Sequence, residues 1–219
     1  MTFLNNGLGI LGGSFDPIHL GHTKSAQAVA DELGLTKVLL IPAYISPLKV
    51  TTDLRPQATA EQRGAMVEII CQQNPLFSCD TRELQRAGHS YTVDTLKALK
   101  RQNPNRPLLF IIGMDSLNTF TQWHQYQAIL SLCHLVVNTR PNHPIEQTNS
   151  ETNALLAKHR TTDRTQLLTL AAGKIFFSKP IFYDISSTQI RQHIAQHKSC
   201  PQQLDIKISD YIDKNKLYR

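Results

Sequence analysis

A short apolar run, Leu8 to Leu11, meets Gly12-Gly13 and continues as Ser14-Phe15-Asp16-Pro17-Ile18-His19-Leu20-Gly21-His22. Apolar run, glycine turn and helical pattern, in that order, read as a strand, a tight turn and a helix that opens on two histidines. A helix start presents backbone N–H groups without intrahelical partners and the positive end of the helix dipole. Two imidazoles placed there make a pocket suited to a phosphate whose negative charge grows during reaction.

The same alternation recurs along the chain and specifies an α/β fold with a parallel sheet. Strands are expected at Leu8–Leu11, Lys37–Ile41, Leu76–Cys79, Leu108–Ile112, His134–Asn138 and Lys174–Ser178. The run Leu108–Ile112 is continuously apolar and ends in Gly113, the pattern of a strand buried on both faces. Helices are expected at Leu20–Leu33, stopped by Gly34, and from a capping box at Thr59-Ala60-Glu61-Gln62 to about Gln72. Further helices are expected from Thr92 or Asp94 to Gln102, and at Ser116–Leu130, Glu151–His159, Ser187–His197 and Asp205–Asn215. Pro42, Pro47 and Pro56 mark 43–57 as a loop, and 142–166, rich in Asn, Thr and Gln, reads as an irregular insertion. No repeat and no linker interrupts the 219 residues, so a single domain with a C-terminal helical part from about 185 is expected. In open sheets of this kind ligands bind outside the carboxyl ends of the strands. The His19/His22 turn, Gly113-Met114-Asp115 and Ile185-Ser186-Ser187 all fall at such places.

Composition narrows the class. Hydrophobic residues make up 41%, enough for a sizeable core, and no apolar run approaches the ~20 residues of a membrane span. The N-terminus lacks the basic and apolar regions of a signal peptide, and Cys71, Cys79, Cys133 and Cys200 form no C-x-x-C pair. A reduced, cytoplasmic protein with no disulfide framework, no zinc site and no membrane partner is expected. The net charge of +6 suits an anionic ligand. The basic residues alternate with acids and lack interleaved aromatics, so a nucleotide is expected rather than a nucleic acid.

Two segments carry the chemistry. His19 and His22 are one helical turn apart, and Gly21 between them bears no side chain, which lets a phosphate approach the backbone. Two histidines at this spacing also serve as structural hydrogen-bonders or as half of a metal site; the eleven-residue context from Gly12 carries the phosphate reading. The second segment is Ile185-Ser186-Ser187-Thr188-Gln189-Ile190-Arg191. With Ser187 as N-cap, the N–H groups of the first turn, the hydroxyls of Ser187 and Thr188, and Arg191 form a clamp for a polyphosphate. Alone, it reads first as an ordinary capped amphipathic helix.

Together these segments resemble the H-x-G-H nucleotidyltransferase superfamily, most closely the bacterial nicotinate-mononucleotide adenylyltransferases. The resemblance extends through Ser90-Tyr91-Thr92-Val93-Asp94-Thr95-Leu96, Gly113-Met114-Asp115 with Trp123, Thr139-Arg140-Pro141 and the closing Tyr211-Ile212 and Leu217-Tyr218. It implies a Rossmann-like fold with an open, mostly parallel sheet and helices on both faces. It implies transfer of the adenylyl group of ATP to nicotinate mononucleotide, giving deamido-NAD and pyrophosphate, with Mg²⁺ arriving on ATP. His19, His22 and Arg191 would then be catalytic. ATP would be bound by Gly12, Gly13, Ser14, Phe15, His19, His22, Gly113, Asp115, Ser187, Thr188 and Arg191. Nicotinate mononucleotide would be bound by Lys49, Thr92, Asp115, Trp123 and Arg140, with the indole stacked on the pyridine ring.

The chain departs from the family pattern twice: Leu48 stands where histidine is usual, and Asn142 where glycine is usual. The first loses a possible polar contact in its loop; the preference for the acid over the amide mononucleotide, which the resemblance alone implies, rests on the region of Asn142 and on the loop near Tyr44 to Ser46. Phosphopantetheine adenylyltransferase shares H-x-G-H but lacks counterparts of the Thr92 and Trp123 segments, and cytidylyltransferases differ ahead of the Ser-Thr pair. A nucleotide-sensing module with a dead site would have no need of His19, His22 and Arg191 together. The sequence is compatible with a homo-oligomer.

Overall fold

The computed structural model describes residues 7–45, 55–86, 88–139, 148–179, 183 and 185–219. Its strands are β1 (Leu8–Gly13), β2 (Val38–Pro42), β3 (Phe77–Cys79), β4 (Leu108–Gly113), β5 (His134–Asn138), β6 (Arg160–Thr161) and β7 (Ile175–Phe177). They form one sheet in the order β3-β2-β1-β4-β5-β7-β6, as expected of a Rossmann-like α/β fold. The pairs β1–β4, β4–β5, β5–β7 and β6–β7 all run parallel.

The helices are α1 (Leu20–Leu33), α2 (Ala60–Gln73), α3 (Arg82–Gln85), α4 (Thr92–Gln102), α5 (Met114–Thr119), α6 (Tyr126–Leu132), α7 (Ser150–His159), α8 (Gln166–Thr169), α9 (Ser187–Ala195) and α10 (Ile206–Lys214). The chain groups into two compact units, each drawn from three stretches. One holds Met1–Leu11, Ala26–Val38 and Tyr91–Phe182; the other holds Gly12–Ser25, Leu39–Ser90 and Tyr183–Arg219.

In the first unit the register Leu109↔His134 through Gly113↔Asn138 brings two apolar strands side by side. Leu108 through Ile112 and His134 through Val137 are buried without a break. Consecutive buried residues point to opposite faces, so both faces of these strands are covered. Gly34, at φ 67°, ends α1, and the Leu35 N–H donates to the Ala30 carbonyl at 2.8 Å, closing the helix with a Schellman turn.

The expected single helix over Ser116–Leu130 is instead broken. Helix α5 ends at Thr119, a 3₁₀ turn covers Phe120–Gln122, and α6 starts after Gln125, whose φ is 54°. Trp123 leaves helical geometry at ψ 143°, so the i→i−4 ladder cannot pass through it. The two-residue strand β6 and the four-residue helices α3 and α8 were not expected; they are too short to show a period.

In the second unit the capping box forms as expected. The Thr59 hydroxyl accepts from the Gln62 N–H at 3.2 Å and the Gln62 side chain accepts from the Thr59 N–H at 2.9 Å. Helix α2 buries Arg63, Gly64, Met66, Val67 and Ile70, and α10 buries Ile208 and Ile212.

Candidate active site

Strand β1 ends in Gly12-Gly13, after which Phe15 takes a left-handed conformation at φ 48°, a costly one for a bulky residue. The Phe15 side chain is buried and meets the His22 ring edge-on, with centroids 5.1 Å apart at 83°. His19 caps α1: its carbonyl accepts from the N–H groups of His22 at 2.9 Å and Thr23 at 3.3 Å. In return the His19 N–H donates to Nδ1 of His22 at 3.3 Å. The second bond is one half of a capping box, with histidine in the place of Glu or Gln. An accepting Nδ1 places the ring proton of neutral His22 on Nε2, where it can donate to a phosphoryl oxygen.

The two imidazoles are stacked, with centroids 3.6 Å apart and planes at 22°. His19 is buried and His22 half-buried. A Cβ at Gly21 would lie 3.0 Å from Cε1 and Nδ1 of His19 and 3.2 Å from Cβ of Ile185. Gly21 makes room for the His19 ring.

The second expected segment meets this loop directly. The Ser187 hydroxyl donates to the Pro17 carbonyl at 3.0 Å. Arg191 donates through Nη1 to the Asp16 carbonyl at 2.7 Å, and the same nitrogen lies 3.5 Å from the Asp16 carboxylate. Nη2 of Arg191 is 3.4 Å from the Thr188 hydroxyl. The N-cap of α9 is Ser186, whose side chain accepts from the Gln189 N–H, and not Ser187 as expected. Ser187 is the first helical residue, and its hydroxyl is spent on Pro17. Gly12, Ser14, His19, His22, Ser187, Thr188 and Arg191 thus belong to one unit and one connected arrangement.

Three residues outside the expected set hold it together. Asp16 is buried; its carboxylate accepts from the N–H groups of Gln57 at 2.8 Å and Ala58 at 3.0 Å and from the Tyr218 hydroxyl at 2.9 Å. Arg63 is 2% exposed, and its guanidinium donates to the carbonyls of Ser14, Ala43, Tyr44 and Ala58. Burial lowers the pKa of Arg63, opposed by the nearby negative charge of Asp16. Burial first, and then the Asp16 carboxylate beside it, raise the pKa of the Tyr218 hydroxyl, which therefore stays a donor. The sequence did carry a signal for Arg63. Arg63, Met66, Val67 and Ile70 occupy i, i+3, i+4 and i+7 of α2, so a cation sits on the apolar stripe.

The remaining expected residues lie in the other unit or outside the described residues. Gly113 ends β4 and Asp115 is exposed in the first turn of α5. Thr92 is the first residue of α4, whose N-cap Tyr91 makes no side-chain cap. Trp123 is half-buried; Nε1 lies 3.4 Å from the Thr119 hydroxyl and the ring packs on Phe120 and Phe110 at 5.5 and 6.2 Å. Tyr91 packs on His124, ring centroids 4.6 Å apart. Lys49 and Arg140, with the departures at Leu48 and Asn142, lie outside the described residues.

Among the described residues no three His, Cys, Asp or Glu side chains gather in a way that could hold a metal ion. The Asp16 carboxylate, the one acid in the phosphate loop, is already occupied by N–H and O–H donors. A divalent cation would therefore find its oxygen ligands on a polyphosphate and water, as Mg²⁺ commonly does. The four cysteines are free thiols; burial pushes Cys79 up to about 12 and raises Cys133 as well, which leaves both inert as nucleophiles.

Comparison with known proteins agrees with this geometry. Residues 10–193 match the family model described as cytidylyltransferase-like. The chain is 42% identical over 209 residues to a probable nicotinate-nucleotide adenylyltransferase of Cronobacter sakazakii, covering 95% of this chain and 94% of that one. It is 40% identical over 211 residues to nicotinate-nucleotide adenylyltransferase of Salmonella typhimurium, covering 96% and 97%. Among solved structures, the nicotinic acid mononucleotide adenylyltransferase of Plasmodium falciparum complexed with APC superposes with a TM-score of 0.71 at 17% identity, over 97% of both chains. The last likeness bears on the fold alone; the first three place the protein, which belongs to the cytidylyltransferase-like family and, within it, to the nicotinate-nucleotide adenylyltransferases.

Proposed function

We propose that this protein is a nicotinate-nucleotide adenylyltransferase that works as one catalytic domain. It transfers the adenylyl group of ATP to nicotinate mononucleotide, releasing pyrophosphate and forming deamido-NAD in NAD biosynthesis. The observation that carries the reading is the junction of the two motifs. Ser187 bonds to Pro17 and Arg191 to Asp16, which fixes a cation on the loop that leads into the stacked histidines.

The 5′-phosphate of nicotinate mononucleotide attacks the α-phosphorus of ATP in line. Little covalent help is needed, and stabilisation of developing charge does most of the catalytic work. His22 donates through Nε2 to the α-phosphate, and His19, stacked on it, holds that ring in register and faces the same phosphates. Arg191, Thr188 and the N–H groups that open α9 hold the β- and γ-phosphates, which leave as pyrophosphate. Mg²⁺ enters as part of the MgATP substrate. No covalent enzyme intermediate forms, in keeping with thiols held protonated by burial.

Gly12, Gly13, Ser14 and Phe15 supply backbone to the ATP site, and Gly113 and Asp115 lie by the adenosine. Thr92 and Trp123, with Lys49 and Arg140, receive the mononucleotide, and the acid form is preferred over the amide. The enzyme acts in the cytoplasm on small-molecule substrates, without nucleic acid or membrane; among the described residues no helix is long and apolar enough to cross a membrane. Pyrophosphate release from MgATP with nicotinate mononucleotide, nicotinamide mononucleotide and phosphopantetheine, each separately, tests the reading. Turnover is expected with the first, far above the second and third. Equal rates on the two mononucleotides would discard the acid preference, and no turnover on any of the three would discard the activity.

A further inference from the structure

Three stretches of chain converge on one carboxylate. Asp16 receives the N–H groups of Gln57 and Ala58 from the segment leading into α2 and the hydroxyl of Tyr218 from the penultimate position of the chain. It faces the Arg191 guanidinium of α9 at 3.5 Å, and its own carbonyl holds the same guanidinium at 2.7 Å. The carboxylate side chain is 5% exposed and the Tyr218 residue 7%, so neither contact is a surface accident. Tyr218 takes a left-handed conformation at φ 62° as its hydroxyl reaches Asp16.

We propose that Asp16 and Tyr218 are positioning residues for Arg191, so that the C-terminal tyrosine sets the enzyme's grip on the triphosphate of ATP. The inference rests on the functional reading in one respect only, that Arg191 holds the β- and γ-phosphates. Its logic is electrostatic. A buried carboxylate with three hydrogen-bond donors is fixed in place. Fixed there, it holds the Nη1 side of the Arg191 guanidinium and leaves Nη2, beside the Thr188 hydroxyl, as the donor for a phosphate. Removing the Tyr218 hydroxyl takes one of the two donors from Oδ1, so more of the carboxylate's negative charge falls on Arg191 and competes with the phosphate for its donors. The nicotinate mononucleotide side of the reaction makes no use of this contact.

The test is Tyr218→Phe in the full chain, which keeps the buried ring and removes the hydroxyl. ATP affinity is measured by calorimetry, and KM for ATP and for nicotinate mononucleotide by pyrophosphate release. One net hydrogen bond corresponds to a weakening of about five-fold. Expected are a Kd and KM for ATP about five-fold higher, a KM for nicotinate mononucleotide within two-fold of wild type, and a melting temperature lowered by no more than about 5 °C. Asp16→Asn weakens ATP more, and the double variant is no worse than Asp16→Asn alone, since the hydroxyl acts only through the carboxylate. An ATP affinity of Tyr218→Phe within two-fold of wild type overturns the proposal. So does an equal rise in both KM values, which marks a merely structural role. Because ATP binding is read directly, a wild-type protein that binds ATP but does not use nicotinate mononucleotide defeats the functional reading and leaves this comparison intact.

Discussion

At the scale of the residue, the site depends on which atom each ring presents. His22 accepts the His19 N–H at Nδ1, which puts the proton of the neutral ring on Nε2, the donor in the proposed reaction. Removing such a transition-state donor costs about 10²–10³ in kcat. His22→Ala is therefore expected to lower kcat by that factor with KM for ATP changed far less, checked by steady-state pyrophosphate release. Gly21→Ala tests the packing reason for the glycine. Its new methyl would sit 3.0 Å from the His19 ring, closer than ordinary van der Waals contact, with the Ile185 Cβ at 3.2 Å closing the other side. The ring must turn, so kcat is expected to fall at least ten-fold while the far-ultraviolet circular dichroism is unchanged.

Gly113 is the opposite case. A Cβ there meets no atom within 4 Å, and its φ of −87° suits any residue. Gly113→Ala should leave the melting temperature unaltered and weaken ATP several-fold, because only a bound nucleotide would collide with the methyl. An alanine variant with wild-type ATP affinity would remove Gly113 from the ATP site.

At the scale of the element, the readable features were those whose cause is local. The capping box at Thr59 and the stop at Gly34 depend on residues within one turn of each other, and both formed as expected. Thr59→Ala should lower stability by about 1 kcal/mol, the usual cost of losing an N-cap, measured by urea unfolding. Where the deciding contact is distant in sequence, pattern reading failed. The break after α5 follows from Trp123 turning out of the helix to pack on Phe120 and Phe110, which no helical period announces. Ser187 and Ser186 are equally good caps by type; the bond from Ser187 to Pro17, 170 positions away in sequence, decides between them. Asp16 and Arg63 escaped for the same reason. Their partners at Ala58, Tyr218, Ser14 and Ala43 come together only in the folded chain. His19, His22 and Arg191 stand out in the sequence by residue type and spacing, and the fold brings all three into one unit.

At the scale of the whole molecule, the parallel sheet brings a titratable group into the core. His134 opens β5 and is fully buried. Its Nδ1 accepts from the Lys174 N–H at 3.1 Å, which leaves Nε2–H to donate to the Leu170 carbonyl at 2.9 Å. Both bonds tie the start of β5 to the approach of β7, and the first of them needs the neutral ring. Burial lowers the folded pKa below the ordinary 6.5, helped by the charges of Lys100 and Lys174 and opposed by the bond to Leu170. Below that ordinary value the unfolded chain takes up a proton that the native state refuses. This contribution to stability is therefore complete above pH 6.5 and is lost as the pH falls through the depressed folded value. Carboxylates with lowered folded values, such as Asp163 and Glu61, lose theirs in a more acidic range. The midpoint of urea unfolding should accordingly drop between pH 8 and pH 5. His134→Gln, a neutral side chain that cannot titrate, should start from a lower midpoint at pH 8 and fall less across the same interval. Parallel curves for the two proteins would assign the acid sensitivity to other groups and leave the His134 bonds as packing alone.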